Sequence, residues 1–217
     1  MKEAAYYGRP RLEMRPFVPT AARRLLDVGC GAGTFAAGLK VGRPELEVWG
    51  LEADPQAAAR ARGVLDHVLA GDAAALLPAL AGELFDAIVL NDILEHVVAP
   101  EALLVGLRPL LAPRGRVIAS IPNVRHFVTV ADLVLRGRWE YTDEGTLDRT
   151  HLRFFTRASL PGLFGAAGFE LETVAGINVT GSLKFKLFNA LTLGRFADMG
   201  CLQFACVARS ATDPETP

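Results

Sequence analysis

The chain has 217 residues, 51% hydrophobic and 22% charged, with a formal net charge of −1, enough to bury one good core in a single domain spanning 1–217. The near-zero balance and the lack of any Lys/Arg-rich run exclude the electrostatic footprint of a nucleic-acid binder, so no nucleic-acid partner is expected. The opening MKEAAYYGRPRLEM has no apolar signal region, and no run reaches the roughly 18 apolar residues of a spanning helix, which predicts a cytoplasmic protein with no transmembrane segment.

Residues 1–20 form a polar, proline-punctuated leader in which Tyr6, Tyr7, Arg9, Arg11 and Arg15 precede PFVP. Either a loose leader or a cover over a bound ligand fits that composition. From Arg24 onward, short apolar runs alternate with helical stretches, the pattern of a parallel sheet with crossover helices. The first strand, Arg24 to Val28, runs into Gly29, Cys30, Gly31 and Gly33, and a helix follows from Thr34 to Lys40. Glycines at alternate positions allow positive φ and let a ligand approach the backbone, with main-chain N–H groups expected to hold it. A dinucleotide fingerprint would need glycine where Thr34 stands, and no GK[ST] follows to make a P-loop.

The second strand, Glu47 to Leu51, stops at Glu52 and Ala53, and Asp54-Pro55 caps a helix reaching Arg62. An acidic residue about 20 positions beyond a glycine turn is where this class of sheet binds a ribose diol. A third strand, His67 to Ala70, leads to Gly71, Asp72 and Ala73. The fourth, Phe85 to Leu90, delivers Asn91, Asp92, Ile93, Leu94, Glu95, His96 and Val97. A helix from Pro100 to Leu111 follows, then a polar turn and the fifth strand within LAPRGRVIASIPN.

After Asn123, residues 124–155 separate the fifth strand from the next helix, far more than an ordinary connection, and should form a cap with a short helix from His126 to Arg136. The pattern resumes with a helix from Thr156 to Ala167, capped by Thr156 and closed by Gly168, then strands from Glu170 to Val174 and from Leu202 to Ala208. Between them lies an apolar insertion, 176–200, with Leu183, Phe185, Leu187, Phe188, Leu191, Leu193 and Phe196. That is more than one core-facing stripe needs, and the surplus could face an acceptor crevice, a second subunit or a membrane surface; with Lys184, Lys186 and Arg195 as its only cations attraction to anionic lipid would be weak, so it reads as a dimer contact or a wall of an acceptor pocket, Phe188 facing outward. A homodimer is therefore possible. The tail, 210–217, reads as disordered.

The set Asp27, Gly29, Gly31 and Gly33 resembles motif I, DxGxGxG, of the class I S-adenosylmethionine (SAM)-dependent methyltransferases; LEHV after the fourth strand and the turn before the fifth are similar to that family as well. The resemblance implies an α/β, doubly wound, Rossmann-like seven-stranded sheet, mostly parallel with an antiparallel last strand, carrying a cap after strand five. It implies SAM as cofactor, with Asp72 near the adenine amino group and Ala73 offering its N–H to the ring. The strand-end side chains Asp27, Glu52, Asp72, Asn91 and Asp92 would converge on one crevice and suit a ligand with a sulfonium, an ammonium, a diol and an amino group, where a pyrophosphate would meet carboxylates.

Methyl transfer to a hydroxyl needs a base, and His151, His96 and Asp92 are the candidates; His96 sits in a context suited to a structural histidine, so His151 is preferred. Arg149 and Arg153 beside it, with His126 and Tyr141, would bind a polar or anionic acceptor, unless Asp148, Arg149 and Arg153 form an ion-pair cluster that holds the cap. Asp92 and Asn123 are too few for a catechol-type metal cluster, and Cys30, Cys201 and Cys206 make no CxxC pair, so neither metal nor disulfide is expected. The segment DRTHLRFFT resembles small bacterial methyltransferases of sugars, glycans or secondary metabolites, which puts O-methylation of a small polar acceptor first. N- or C-methylation of a quinone-like molecule, or a catalytically silent SAM-binding module that contacts a protein partner, are the alternatives.

Overall fold

The computed structural model describes Gly8 and residues 10–212. Tyr6, Tyr7, Arg9 and the last five residues lie outside the described residues. Seven strands, β1 (Arg24–Val28), β2 (Glu47–Glu52), β3 (His67–Ala70), β4 (Phe85–Asn91), β5 (Leu111–Pro122), β6 (Phe169–Val179) and β7 (Cys201–Ser210), form one sheet in the order β3-β2-β1-β4-β5-β7-β6. Strands β1 to β5 pair in parallel, and β7 runs antiparallel to both β5 and β6. The sheet is Rossmann-like, as the sequence predicts.

Period-two alternation in the strands builds a core on each face of the sheet. Leu26, Val28 and Ile88 point to one side, against Leu103 and Leu104 of α4 (Pro100–Leu107) and Phe164 of α6 (Leu160–Ala166). Leu25, Val48 and Val89 point to the other, against Phe35 and Leu39 of α1 (Thr34–Lys40). Met14, fully buried in a 3-10 turn from Leu12 to Phe17, joins this second core, so the leader is packed from there on. On the same face as α1, whose core includes Ala61, α2 (Pro55–Ala61) starts at Asp54, whose side chain accepts from the Ala57 N–H at 2.7 Å. Helix α3 (Ala73–Leu76) is a single turn capped by Asp72.

Four boundaries differ from the sequence reading by two residues or more. The helix expected from Thr156 begins at Leu160, because Pro161 fits only the first turn of a helix and the residues before it close a turn in which the Ser159 hydroxyl accepts from the Thr156 N–H. The helix expected to Leu111 ends at Leu107, followed by a 3-10 turn containing Pro109. Strand β6 continues to Val179, so the insertion after it is shorter and consists of α7 (Leu183–Leu191) and a 3-10 turn. Strand β7 reaches Ser210, which is buried and pairs with Phe169, so Ser210 belongs to the sheet and not to the tail expected over 210–217. Within the cap, α5 (Phe127–Arg136) forms as expected and stops at Gly137 in the left-handed region; the cap is held by Val124 N–H to Phe155 O and by Leu152 and Arg153 N–H to Glu95 O.

Gly168, with φ +77°, closes α6, and a Cβ there would lie 2.1 Å from the Arg108 guanidinium. Replacing it by alanine should cost about 1–2 kcal/mol of stability through the left-handed backbone alone, read as a fall of several degrees in the thermal midpoint; an unchanged midpoint would mean that the turn relaxes freely.

Candidate functional site

Parallel pairing brings the C-terminal ends of β1, β2, β3 and β4 to one edge of the sheet, where a cavity of about 590 Å³ opens. Of the residues expected at a cofactor, all but Gly33 line it. Gly33 instead begins α1 with φ +80°, where a Cβ would strike Val64 and Leu65. Gly29 is left-handed as well, and a Cβ there would lie 2.1 Å from Ile93. The expectation that loop N–H groups face the ligand is not met: Gly29 and Cys30 donate to Leu51 O, and Gly31 donates to Glu52. What this loop offers a ligand is close approach of a backbone without side chains.

Glu52 is buried and engaged at both oxygens, Oε2 by the Gly31 N–H at 2.7 Å and Oε1 by the Asp54 N–H at 2.8 Å. Each carboxylate oxygen keeps a second lone pair for a donor in the cavity. Asp27 stands behind the loop, 2% exposed. Burial, and then the nearby Glu52 charge, push its carboxyl up to about 7. The same burial raises the Cys30 thiol, so that side chain is an inert filler. Asn91 is the clearest sign of a ligand: both polar atoms of its amide are buried, with no hydrogen-bond partner among the described residues. A buried polar atom left unpaired costs about 1–3 kcal/mol. A cavity with an orphaned amide, a buried carboxylate seeking a cation and a second carboxylate at a strand end fits the zwitterionic tail and ribose of SAM. Asp72 faces the same cavity while capping α3 through Ala75 N–H at 3.0 Å.

A second cavity, of about 420 Å³, adjoins the first and shares Arg11, Asp92 and His96 with it. Asp92 sits in the left-handed region, φ +54°, a strained backbone for a non-glycine residue that its partners hold in place. Its Oδ1 accepts from Ser120 Oγ at 2.8 Å and Gln203 Nε2 at 2.7 Å, and its Oδ2 pairs with the Arg11 guanidinium. Arg11 also donates to Glu13 and to the Gln203 carbonyl. A carboxylate so committed is a structural strut rather than a proton acceptor, which removes Asp92 from the candidate bases.

His96 lies where the cavities meet. Its Nδ1 is 3.1 Å from both the Thr150 carbonyl and the Thr150 hydroxyl. His151 is buried behind it, the two rings meeting edge to face with centroids 4.8 Å apart. His151 Nδ1 is 3.0 Å from Thr146 O, and its Nε2 is 4.0 Å from the buried carboxylate of Glu95. Glu95, His96 and His151 offer one ligand atom each, all within 4.8 Å of one another, so this trio could hold a cation. It is not the pair weighed from the sequence: Asn123 spends its amide on Asp198 O, Cys201 O and the Arg125 N–H.

The residues expected to bind an acceptor line neither cavity. Asp148 folds a tight turn by accepting from both the N–H and the hydroxyl of Thr150, which turns the neighbouring side chains apart. Arg149 points out and pairs with Asp143, and Arg153 donates to the carbonyls of Leu152 and Val98. Tyr141 is exposed, and His126, at the start of α5, is half-buried, which lowers its basicity. The guanidinium that lines both cavities is that of Arg11, bound to Asp92. Nothing in the sequence singles out Arg11 among the leader's arginines; Glu95 lies in the LEHV stretch, where the histidine drew the chemistry, and Gln203, inside β7, carries no sequence signal.

A family model described as "Methyltransferase domain" matches residues 3–174. The chain belongs to the class I SAM-dependent methyltransferases. Ubiquinone biosynthesis O-methyltransferase of Cereibacter sphaeroides is 32% identical over 161 residues, 70% of this chain and 62% of that protein; the enzyme of the same name from Azorhizobium caulinodans is 30% identical over 182 residues, 76% and 66%. The chain thus spans under two thirds of the length of these relatives. Among solved structures, a SAM-dependent methyltransferase from Archaeoglobus fulgidus has the same fold, with a TM-score of 0.66 at 18% identity over 95% of this chain and 94% of that one. No helix among the described residues is long and apolar enough to cross a membrane.

Asp27 gives this site a pH signature. The folded chain holds its proton more tightly than the unfolded chain, whose carboxyl titrates near 3.8, so the contribution to stability is full below about pH 4 and is lost as pH rises through about 7. The thermal midpoint of the ligand-free protein should fall over that window in the wild type and less so in Asp27→Asn; parallel curves would mean that Asp27 is ionised throughout.

Proposed function

We propose that this protein transfers the methyl group of SAM to a hydroxyl of a neutral small molecule, with His96 as the proton acceptor. The observation that carries the assignment is that His96 alone among the four histidines lines both cavities. SAM, when bound, supplies a methyl group activated by its sulfonium. Glu52 accepts from the ribose diol, Asp27 and Asn91 hold the charged tail, and Asp72 and Ala73 meet the adenine. Aligning two bound partners supplies about 7–11 kcal/mol without a covalent residue.

The Thr150 carbonyl can only accept, so it favours a hydrogen on His96 Nδ1 and leaves Nε2 to take the acceptor proton. His151, packed against that ring and backed by Glu95, holds the imidazole in place. This reverses the order in which sequence context ranks the two histidines. Glu13, Glu95, Glu144 and Asp148 outnumber Arg11 around the second cavity, which disfavours an anionic acceptor. An imidazole titrating near about 6.5 draws a proton from a phenol, near about 10, far more readily than from a sugar alcohol. A phenolic hydroxyl therefore comes before the sugar or glycan hydroxyl that the sequence suggests, and the O-methyltransferase names of the relatives support the choice of oxygen. One observation favours a second reading: a divalent cation on Glu95, His96 and His151 would acidify the acceptor hydroxyl in place of direct proton transfer.

Transfer of labelled methyl from SAM to phenolic and sugar acceptors separates these readings from a catalytically silent SAM-binding module. His96→Ala should lower kcat about 10²- to 10⁴-fold, the worth of a positioned base, at nearly unchanged SAM affinity, and His151→Ala should lower it less. Full turnover in His96→Ala would remove it from the chemistry. Turnover lost to a chelator and restored by a divalent metal would favour the cation.

A further inference from the structure

The apolar insertion does not line the acceptor cavity, and Phe188 does not face outward. Its ring packs on Phe127 at 5.6 Å and Phe196 at 5.4 Å, while Phe127 also meets the buried Phe185 at 5.4 Å. With that side of α7 turned inward, the opposite side is a stripe spaced by four: Leu183 at 79% exposure, Leu187 at 63% and Leu191 at 76%, continued by Leu193 at 95%. Helix α5, joined to α7 through Phe127, has no buried residue and exposes Val134 and Leu135. Four leucines this exposed in one short segment are far from the scattered apolar residues of an ordinary surface.

What surrounds the stripe selects its partner. A shallow groove beside it gathers Arg125, Arg157 and Arg195 from three separate segments of the chain. Asp198 is bound to Arg125 there, with Nη1 to Oδ2 at 2.7 Å. Arg125, Arg157 and Arg195 of that groove, with Lys184 and Lys186 of α7, make five cations against one carboxylate, Asp198, which is paired with Arg125. The whole chain carries −1, so positive charge is concentrated where the apolar surface is. The insertion alone holds three of these cations, and the fold brings Arg125 and Arg157 alongside them.

We propose that the α7 face docks on the surface of an anionic lipid bilayer, its leucine stripe entering the headgroup–acyl boundary and a lipid phosphate seated in the Arg157–Arg195 groove. A nine-residue helix is far too short to span a bilayer, and one that exposes an apolar stripe between cations lies in the interface plane. Lys184 and Lys186 are long enough to reach back to the headgroups from either side of the stripe. A second copy of this chain is a poorer occupant, because a two-fold contact would set these cations against their own copies.

Co-sedimentation with vesicles tests this directly. The wild type should bind vesicles of mixed phosphatidylglycerol and phosphatidylcholine, not phosphatidylcholine alone, and be released by salt. Leu187→Asp with Leu191→Asp, and separately Arg157→Glu with Arg195→Glu, should each lower the bound fraction roughly tenfold or more with the thermal midpoint and SAM affinity unchanged. Leu193→Ser, at the most exposed position, replaces the aspartates if they lower the midpoint. No binding to anionic vesicles, binding indifferent to these substitutions, or a doubled sedimentation mass abolished by the leucine variants would overturn the proposal, the last by assigning the face to a dimer.

Discussion

The crevice depends on one carboxylate. Glu52 ends β2 and accepts from the backbone of the glycine loop after β1 and from the backbone that starts α2, so a single side chain fixes the relative position of three elements. Parallel pairing of β1 and β2 places Glu52 beside the loop, and Gly31, at φ +57°, donates its N–H to the carboxylate at 2.7 Å. A second carboxylate, Asp27, is held close enough for its charge to be felt. Two neighbouring buried carboxylates and the unpartnered Asn91 amide make a cost that a ligand bearing a cation and hydrogen-bonding groups relieves.

A second junction links cofactor and acceptor. Arg11 comes from the leader, Asp92 from just past β4, Ser120 from β5 and Gln203 from β7, and they form one hydrogen-bonded junction whose Arg11 and Asp92 line both cavities. The antiparallel register that pairs Gln203 with Pro122 puts that side chain within reach of Asp92. The antiparallel last strand is thus part of the site's construction as well as an edge of the sheet. The turn made by Asp148 and Thr150 positions the carbonyl that orients His96.

The parallel half of the sheet was legible because its strands are short apolar runs ended by glycine or a carboxylate; Arg24–Val28 and His67–Ala70 appear in the structure with the bounds read from the sequence. Strand β6 was harder. Gly176 and Asn178 read as loop residues, yet a Cβ at Gly176 would lie 2.0 Å from the Cys201 sulfur, so the glycine is there to let β7 pass. Strand-end residues of the cofactor cavity were legible from topology alone, since the sheet's connectivity decides where they converge. The acceptor side was not. Its residues come from segments as far apart as Asp92 and Gln203, and adjacency in DRTHLRFF suggested a cluster that a two-residue turn disperses.

The most direct test of the account is the affinity of SAM for Glu52→Ala by titration calorimetry. Loss of a charged acceptor for the ribose hydroxyls, with release of the Gly31 and Asp54 N–H groups, predicts binding weaker by about 1.5–3 kcal/mol, with the fold retained. Equal affinity in wild type and variant would contradict the placement of the cofactor at this strand end.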